Sequence, residues 1–384
     1  MDSETIKDLI GLLQDKKPDV RQVASQYIAG ITATTEGCNL ISSLDGHLKL
    51  TKMVGDSYPI AKNAIVALTN MCEDSKALAE MTSDDLIEKL FENLLDKEYP
   101  LVDITLMLLA NLSRTEIGAG GVLGLRKFGG KLKVCLHVYR LLNMLMKTKT
   151  LEQNKNVYLN TYNEKEEEDN YKYIFMILQN ICILEEGRAL ICDINRDILQ
   201  DLLLFLYHPI YTRRHGIISM LKNIAKDPNY RYIFLDKEYM EKYHIINRLL
   251  YILEGNIPFE GNDIWKVDSE VYESLGKKIR EPNVELIHTI LEIFTLLCEK
   301  RDGRDICRYQ VYDELLKEES VDLIDELVNY LMGDEEDIEN EVLMKKIYTE
   351  RGVFSHTEQE RQAIEHSIEI EEIASDDDDM PELE

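Results

Sequence analysis

The sequence predicts an all-α fold, a solenoid built from about six stacked helical repeats. Two observations support this prediction. A similar layout of proline, apolar run and marker residue returns along the 384-residue chain, and the apolar residues between these points follow helical spacing. Because the core of a solenoid grows linearly with the number of repeats, a chain of this length does not need to divide into several globular domains.

The repeat is clearest where a proline precedes an apolar run that carries a marker residue. Pro59 precedes Asn70 by eleven residues, and Pro100 precedes Asn111 by the same interval. The aligned markers are separated by 40, 41, 69, 43 and 73 residues, and they are Gly30, Asn70, Asn111, Asn180, Asn223 and Leu296. Insertions near 148–170 and 255–280 account for the two longer steps. A period of about 40–47 residues with helical patterning predicts an armadillo or HEAT-type right-handed solenoid.

Each repeat is expected to be a pair of helices. Proline is tolerated in the first helical turn and disfavours helix at the residue before it, so each marked proline separates two helices. Apolar residues then recur at three- and four-residue spacing, after Pro18 at Val20, Val23, Ala24, Tyr27, Ile28 and Ile31. This spacing forms one apolar face, which only a stacked neighbour can bury.

The remaining elements follow in chain order. Ser3 is expected to cap the first helix, and Gly37 is a candidate to stop a helix. The glycine-rich stretch 124–131 has the wrong spacing for a phosphate-binding loop, so we predict a turn that connects helices. Val134 to Lys147 should be a helix, and the 148–170 insertion a solvated loop.

The end of the chain differs from its body. Val321 to Leu331 is expected to form a final capping helix, which gives a solenoid over residues 1–332. The last 52 residues, 333–384, contain 19 acidic and 4 basic residues, whereas the whole chain has a formal charge of −28. We predict an acidic, largely disordered tail there. Such a charge does not favour binding to nucleic acid or to anionic membranes.

The composition also bears on compartment and chemistry. The seven cysteines contain no CxxC pair, as expected for buried thiols in a reducing compartment. No signal peptide or transmembrane run is evident, so we expect a cytoplasmic monomer, with nuclear access as an alternative. No metal-ligand spacing, nucleotide fingerprint or catalytic motif is present. The sequence therefore predicts a protein that is not an enzyme and needs no cofactor or metal.

Two sets of residues are candidates for partner binding. The recurrent amides of Asn70, Asn111, Asn180 and Asn223 could pair with the backbone of an extended peptide, as in importins and catenins. Alternatively, they tie one repeat to the next. Basic residues near the fifth repeat could bind an acidic partner segment or the protein's own tail, or form ordinary solvated surface. Those chosen as partner-binding candidates are Arg213, Arg214 and Lys222.

The second half of the chain resembles one known family. The segments that carry the resemblance are "QNICILEEGRALICD", "RRHGIISMLKNIAKDPNYRYIFL" and "KKIREPNVELIHTILEIFTLLCEKRDGRDICRYQVYDELL". They are similar to motifs of an armadillo-like family, historically named as a homologue of high-mobility-group proteins, whose members are regarded as chaperones for translation elongation factor 2. The matching structural positions are Gly187, Arg188, Gly216, Arg280, Glu281, Pro282, Gly303, Arg304, Val311 and Tyr312. His215 and Asn283 depart from the family pattern.

The resemblance implies a function and partners. It implies a non-enzymatic adaptor that binds partly folded translation elongation factor 2 and helps to pass it to the cytosolic chaperonin. The ending "DDDDMPELE" is similar to that of a small heat-shock co-chaperone, which implies contact with a heat-shock chaperone. The alternative is a tail that only keeps the protein in solution. The alternatives are an importin- or catenin-like scaffold for linear peptides and an enzyme whose site the sequence does not mark.

Overall fold

The computed structural model describes residues 3–128, 132–153, 169–253, 280–310 and 331. Almost all of the regular structure in these ranges is helical. The first helices are α1 (Ser3–Leu12), α2 (Pro18–Ile31), α3 (Thr35–Ser43), α4 (Gly46–Met53), α5 (Tyr58–Met71), α6 (Ser75–Met81), α7 (Asp84–Asn93), α8 (Val102–Leu112) and α9 (Glu116–Leu123). After a short hairpin come α10 (Leu136–Gln153), α11 (Tyr173–Ile181), α12 (Glu185–Ile191), α13 (Ile198–Leu203), α14 (Tyr211–Lys226), α15 (Tyr232–Leu235), α16 (Lys237–Tyr243), α17 (Ile245–Leu253), α18 (Val284–Cys298) and α19 (Arg301–Gln310).

Six of these helices carry the predicted markers and stack in sequence order. We call α2, α5, α8, α11, α14 and α18 the ladder helices. Each ladder helix packs against the next, from α2 on α5 to α14 on α18. Their buried aliphatic and aromatic side chains form one continuous core. The order of stacking confirms the predicted solenoid of about six repeats.

Each complete repeat contains more helices than the predicted pair. Two short helices, α3 and α4, lie between α2 and α5, and α6 and α7 occupy the equivalent place before α8. The extra helix starts immediately after a ladder helix because a side chain caps it there: Thr34 accepts from the backbone N–H of Gly37, and Asp74 from that of Ala77. The prediction that Gly37 stops a helix is therefore wrong, since it lies in the first turn of α3.

The prolines lie either within the first two residues of a ladder helix or two residues before it. Pro18 is the first residue of α2, and Pro59 is the second residue of α5. Pro100, Pro209 and Pro282 instead lie two residues before the first helical residue of α8, α14 and α18. In both cases proline separates the ladder helix from the preceding segment, as the sequence predicts.

A two-stranded antiparallel hairpin follows α9, where a simple turn was predicted. Strand β1 (Leu125–Phe128) pairs with β2 (Leu132–Cys135), with Phe128 opposite Leu132. Gly124 adopts a left-handed conformation with φ of 59°, ends α9 and leads directly into β1. Helix α10 consequently begins at Leu136 and not at Val134.

Several predictions fall partly or wholly outside the described residues. These are the interior of the first insertion (154–168), almost all of the second (254–279), the last helix except Leu331, and the acidic tail. At the end of the first insertion, Asp169 is 7% exposed and pairs with Arg213. For that residue, and for residues 148–153, which belong to α10, the prediction of a solvated loop is wrong.

Candidate binding face on the ladder helices

The marker asparagines mostly bond to the preceding repeat. Asn180 is buried and donates through Nδ2 to the carbonyl oxygen of Ala110 at 2.9 Å and to Oγ of Ser113 at 3.0 Å. Asn223 donates to the carbonyl oxygen of Gln179 at 3.0 Å. These bonds satisfy amide groups that burial would otherwise penalise.

The other two asparagines complete the comparison. Asn70 donates to Oγ1 of Thr32 at 3.4 Å, again toward the preceding repeat. Asn111 is half-buried, and its amide makes no hydrogen bond with the residues that the structure describes. The geometry of three of the four markers thus favours the alternative in which they join repeats. Partner binding by this set stays a prediction, with Asn111 as its most available member.

The structure places Arg213 and Arg214 in the interior, where a partner cannot reach them. Arg213 is 1% exposed and forms two hydrogen bonds with Asp169, from Nε at 2.7 Å and from Nη2 at 2.9 Å. Its guanidinium also lies 5.5 Å from the ring centres of Phe175 and Phe205. Arg214 pairs in the same bidentate way with buried Glu281, at 2.7 and 3.0 Å. The prediction that these two arginines contact a partner is therefore corrected.

Burial and pairing remove most of the basic surface predicted near the fifth repeat. Arg231 is buried and bonds to the carbonyl of Ala225 and to Glu299, each at 2.8 Å. Burial also lowers the pKa of His215, which favours its neutral form. Lys222 is partly exposed and forms an ion pair with Glu292 of the next ladder helix. Of the predicted basic partner-binding candidates, only Lys222 lies on an accessible face.

A recurrent arginine arrangement joins the repeats, and sequence reasoning found only part of it. Arg188 donates through Nη1 to the carbonyl oxygens of Cys182 and Ile183, at 3.0 and 2.8 Å, and through Nη2 to Asp227 at 2.6 Å. Arg304 bonds in the same way to the carbonyls of Cys298 and Glu299. A cation at these carbonyls complements the helix dipole and satisfies acceptors that the helix leaves open.

Two further arginines repeat this bonding at other levels of the solenoid. Arg21 and Arg214 each donate to carbonyls six and five residues earlier in the chain. Arg21 also forms two hydrogen bonds with Asp56, at 2.7 and 3.0 Å, in the segment that leads into α5. These bonds lower the pKa of Asp56. Aligning the repeats on the arginines as well as on the markers would have exposed this pattern.

Glycines of the family motif allow close approach of backbones. A Cβ atom on Gly187 would lie 2.0 Å from the carbonyl oxygen of Ile181, and one on Gly303 would lie 1.9 Å from that of Leu297. Gly216 packs directly on Phe175 of α11, with a notional Cβ contact of 2.5 Å. Gly37 and Gly118 occupy the same place in earlier repeats. A glycine seven residues after the marker was a second recurrent signal.

The other family-motif residues serve the connection into α18. Glu281 is buried, pairs with Arg214, and donates its backbone N–H to the carbonyl of Ile252 at 2.8 Å. Arg280 and Pro282 on either side of it are exposed. Val311 and Tyr312 lie outside the described residues. The motif positions that the structure describes are thus mainly structural, as expected for Glu281 and Arg304.

Equivalent apolar positions on three successive ladder helices are partly accessible to solvent. Four residues before the marker, successive helices present the half-buried side chains of Val66, Met107 and Met176. We call these three residues the apolar strip. Eight residues before the marker lie Lys62, Asp103 and Lys172. Burial raises the pKa of the Asp103 carboxyl, and the charge of Lys172 opposes that rise. The strip is therefore apolar and adaptable, with charged groups along its border.

Neither metal binding nor membrane spanning finds support in the described parts of the chain. No cluster of three or more His, Cys, Asp or Glu side chains in those parts is placed to hold a metal ion. Among the described helices, none combines the length and hydrophobicity that a bilayer span requires.

Comparison with known proteins identifies the family. The family described as "Domain of unknown function (DUF383)" matches residues 93–288, just over half of the chain. The chain belongs to the DUF383 family. This match covers the repeats that contain Asn111, Asn180 and Asn223, together with Arg213 and Arg214.

Curated relatives named "Protein HGH1 homolog" extend the DUF383 match to most of the chain. The relative from Danio rerio is 27% identical, over 90% of this chain and 89% of its own length. That from Dictyostelium discoideum is 22% identical over 87% and 92%, and that from Schizosaccharomyces pombe 24% over 85% and 92%. They confirm the family resemblance that the sequence motifs indicated.

Solved structures show the fold that this DUF383 protein shares. Computationally designed armadillo repeat proteins for modular peptide recognition match with a TM-score of 0.51 at 13% identity, over 76% of this chain and 99% of theirs. A structure from work on cadherin and beta-catenin matches with a TM-score of 0.54 at 13% identity, over 89% and 58%. At these identities the likeness concerns the fold alone. Fold and relatives together make this protein an armadillo-like repeat scaffold.

Proposed function

We propose that this protein is a non-enzymatic chaperone or adaptor in the cytoplasm that binds partly folded translation elongation factor 2. It assists folding together with the cytosolic chaperonin. The observation that carries the proposal is the apolar strip, which lies on three successive ladder helices. The sequence of this scaffold also resembles a family of such chaperones. The side chains of Val66, Met107 and Met176 are half-buried, so each exposes part of its apolar surface to a client.

The physical basis is the sum of many weak contacts on a pre-formed surface. A scaffold that is already folded loses little conformational freedom when a client binds, which favours binding by small contacts. Methionine is unbranched and polarisable, and it adapts to varied apolar partners. Such holding requires no nucleotide, because the client leaves when its apolar segments fold.

Partner and compartment belong to the same proposal. The acidic tail discourages aggregation of the complex through its charge, and its last residues offer a contact for a heat-shock chaperone. The thiols of Cys72 and Cys182 are unpaired and buried, as suits a reducing compartment. Burial raises the pKa of each thiol to about 12, so neither is a reactive thiolate at neutral pH.

The bonding of the asparagines disfavours the alternative of a linear-peptide scaffold. In that alternative the amides of Asn70, Asn180 and Asn223 would bond to a peptide backbone. All three donate instead to the preceding repeat, at 2.9 to 3.4 Å. The double replacement of Asn111 and Asn223 by alanine tests this alternative, which requires loss of binding with unchanged helicity.

A refolding experiment tests the proposed function. Elongation factor 2 is diluted from denaturant with or without an equimolar amount of this protein, and light scattering reports aggregation. We expect scattering to fall without nucleotide, and the yield of native factor to rise when chaperonin and ATP are added. A second unfolded protein of similar size should gain no such protection.

A matched pair of variants connects this activity to the apolar strip. Met107→Glu combined with Met176→Glu should abolish the protection, because each substitution puts a charged side chain where the client would contact an apolar one. Leu95→Glu should retain it, since Leu95 is exposed but lies outside the ladder helices. Equal scattering with and without the wild-type protein would refute the proposed function.

A further inference from the structure

The first ladder helix, α2, exposes a face that every later ladder helix buries. Three residues before the marker, the equivalent side chains are all 0% exposed, and they are Ala67, Leu108, Ile177, Met220 and Ile293. In α2 that position is Tyr27, which is 58% exposed. Val23, one turn earlier, is 52% exposed. The large aromatic side chain of Tyr27 therefore faces solvent where later repeats place their core, and the β-branched Val23 is exposed beside it.

Hydrogen bonds show what this face does in the later repeats. Asn63 and Asn70 of α5 donate to Ser25 of α2 and to Thr32 directly after it, at 3.1 and 3.4 Å. The marker and the residue seven positions before it thus point toward the preceding ladder helix. The same positions in α2 are Gly30 and Val23, and they point away from α5. Helix α1 packs against α2, but it leaves these positions uncovered.

The exposed positions border an open space along one face of α2, which we call the groove; the residues that line it all belong to this helix. The groove has a volume of about 580 Å³ and is lined by Val23, Gln26, Tyr27, Gly30 and Ile31. A Cβ atom on Gly30 would meet no atom within 4 Å, so the backbone of α2 is open to close approach there. The terminal repeat of a solenoid ordinarily turns a polar face outward. This one carries apolar side chains that a further helix would cover.

We propose that this groove binds an amphipathic helix of the client, which packs on α2 as an additional ladder helix. The proposal rests on the proposed function. It specifies the kind of client segment that binds at the N-terminal end of the scaffold. Partly folded proteins expose amphipathic helices whose apolar stripes are not yet buried. A helix laid in an apolar groove through residues spaced by three and four positions is an established mode of recognition.

Charge selects among the possible occupants of the groove. The chain carries a formal charge of −28, which disfavours a second copy as the occupant. The same repulsion disfavours the segment 333–384, with its 19 acidic and 4 basic residues. Within α2, Arg21 is already paired with Asp56, so it offers no free charge to an acidic segment. The bound helix should therefore be neutral or basic beside its apolar stripe.

Binding measurements with matched variants test the proposal. Labelled elongation factor 2 is diluted from denaturant, and its complex with the full-length protein is titrated by fluorescence anisotropy. Val23→Ser combined with Tyr27→Ser should weaken binding at least about tenfold, and Gly30→Gln, which fills the groove, should act in the same direction. Leu95→Ser is the control, because Leu95 is 58% exposed like Tyr27 but lies elsewhere. The serine variants should stay close to the wild-type melting temperature, since the changed side chains are exposed, and Gly30→Gln should raise it slightly, because glycine disfavours helix.

Photocrosslinking identifies what occupies the groove. A photoreactive amino acid at position 27 should crosslink to a segment of the factor that forms an amphipathic helix and is neutral or basic. An acidic or extended segment would overturn the proposal. So would wild-type affinity in both groove variants, or a dimer that the Val23 and Tyr27 changes convert to monomer.

Further outcomes separate this proposal from the proposed function. If the wild-type protein binds the factor and the groove variants bind equally well, only the inference about α2 falls. If deleting 333–384 tightens binding in the wild type but not in the groove variants, the tail is the occupant and the inference is wrong. If the wild-type protein binds no factor at all, both proposals fall.

Discussion

At the scale of single residues, buried arginines hold neighbouring repeats together. The guanidinium of Arg214 reaches the carbonyls of His208 and Pro209, each at 2.8 Å, and pairs with buried Glu281. Breaking a buried pair by removing one partner leaves an uncompensated charge, which costs far more than the pair contributes net. Such residues are therefore sensitive positions because their side chains are buried in the interior of the protein.

Arg304→Ala should lower stability by about 2–4 kcal/mol, because it leaves the carbonyls of Cys298 and Glu299 without their buried donor. The melting temperature should fall while affinity for the client stays unchanged. Arg301→Ala is the control, since its side chain is 67% exposed, and we expect a change within about 0.5 kcal/mol. A loss of client affinity in folded Arg304→Ala protein would contradict a structural role.

Asp169 should make the protein sensitive to acid. Burial alone would raise the pKa of this carboxyl, but the hydrogen bonds and charge of Arg213 hold it below its ordinary value. The resulting stability is fully present above the unfolded-state pKa of about 3.9 and is lost as the pH falls through the lower folded-state value. Melting curves between pH 7 and pH 2 should show this decline.

Asp169→Asn should distinguish the contribution of the Asp169 carboxylate to stability from the general effect of acid on the stability of the protein. At pH 7 the variant should be less stable by about 3–5 kcal/mol, because the charge of buried Arg213 loses its partner. Its stability should also fall less steeply below about pH 4 than that of the wild type. Parallel acid curves for the two proteins would contradict this role of Asp169.

At the scale of elements, four repeats have a glycine in the first turn of the helix that follows the ladder helix, whereas another has Ala77 at that position. The backbone of this first turn lies against the last turn of the ladder helix, so there is no space for a Cβ atom at Gly37, Gly118, Gly187 or Gly303. The restriction is steric and does not arise from a left-handed conformation. It fixes the angle at which the short helix leaves the ladder helix.

Gly187→Ala should therefore destabilise the protein, by several kcal/mol, because a Cβ atom 2.0 Å from the carbonyl oxygen of Ile181 forces the two helices apart. Gly120→Ala in α9 provides the matched control. Its Cβ would meet no atom within 4 Å, and alanine favours helix by up to about 1 kcal/mol. Thermal melts should thus move in opposite directions for the two variants.

At the scale of the whole molecule, the sequence predicts the stacking better than it predicts the surface. The period of the markers is sufficient to predict the six ladder helices, because apolar spacing and proline determine helices through local interactions. Whether a polar residue faces a partner or another repeat depends on contacts between distant segments. Arg213 and Asp169 are 44 residues apart, and Asn180 and Ala110 are 70 apart. No local pattern marks such pairs.

The exposed face of α2 shows the same limit of sequence-based prediction for apolar residues. Val23 and Tyr27 belong to the apolar spacing that predicts a buried stripe, and in later repeats the residues equivalent to Tyr27 are buried. Val23 and Tyr27 are exposed because α2 is the first ladder helix, which is a property of the whole stack. End positions in a solenoid are therefore where apolar residues predicted for the core become candidates for binding.

The central claim is that this scaffold holds elongation factor 2 while the factor folds, and depletion in cells tests it most directly. After depletion, newly synthesised elongation factor 2 is pulse-labelled and its soluble fraction is compared with that of total labelled protein. We predict that soluble factor falls selectively, and that wild-type protein restores it while the Met107 and Met176 double variant does not. Unchanged soluble factor, with no factor recovered alongside the affinity-purified protein, would contradict the account.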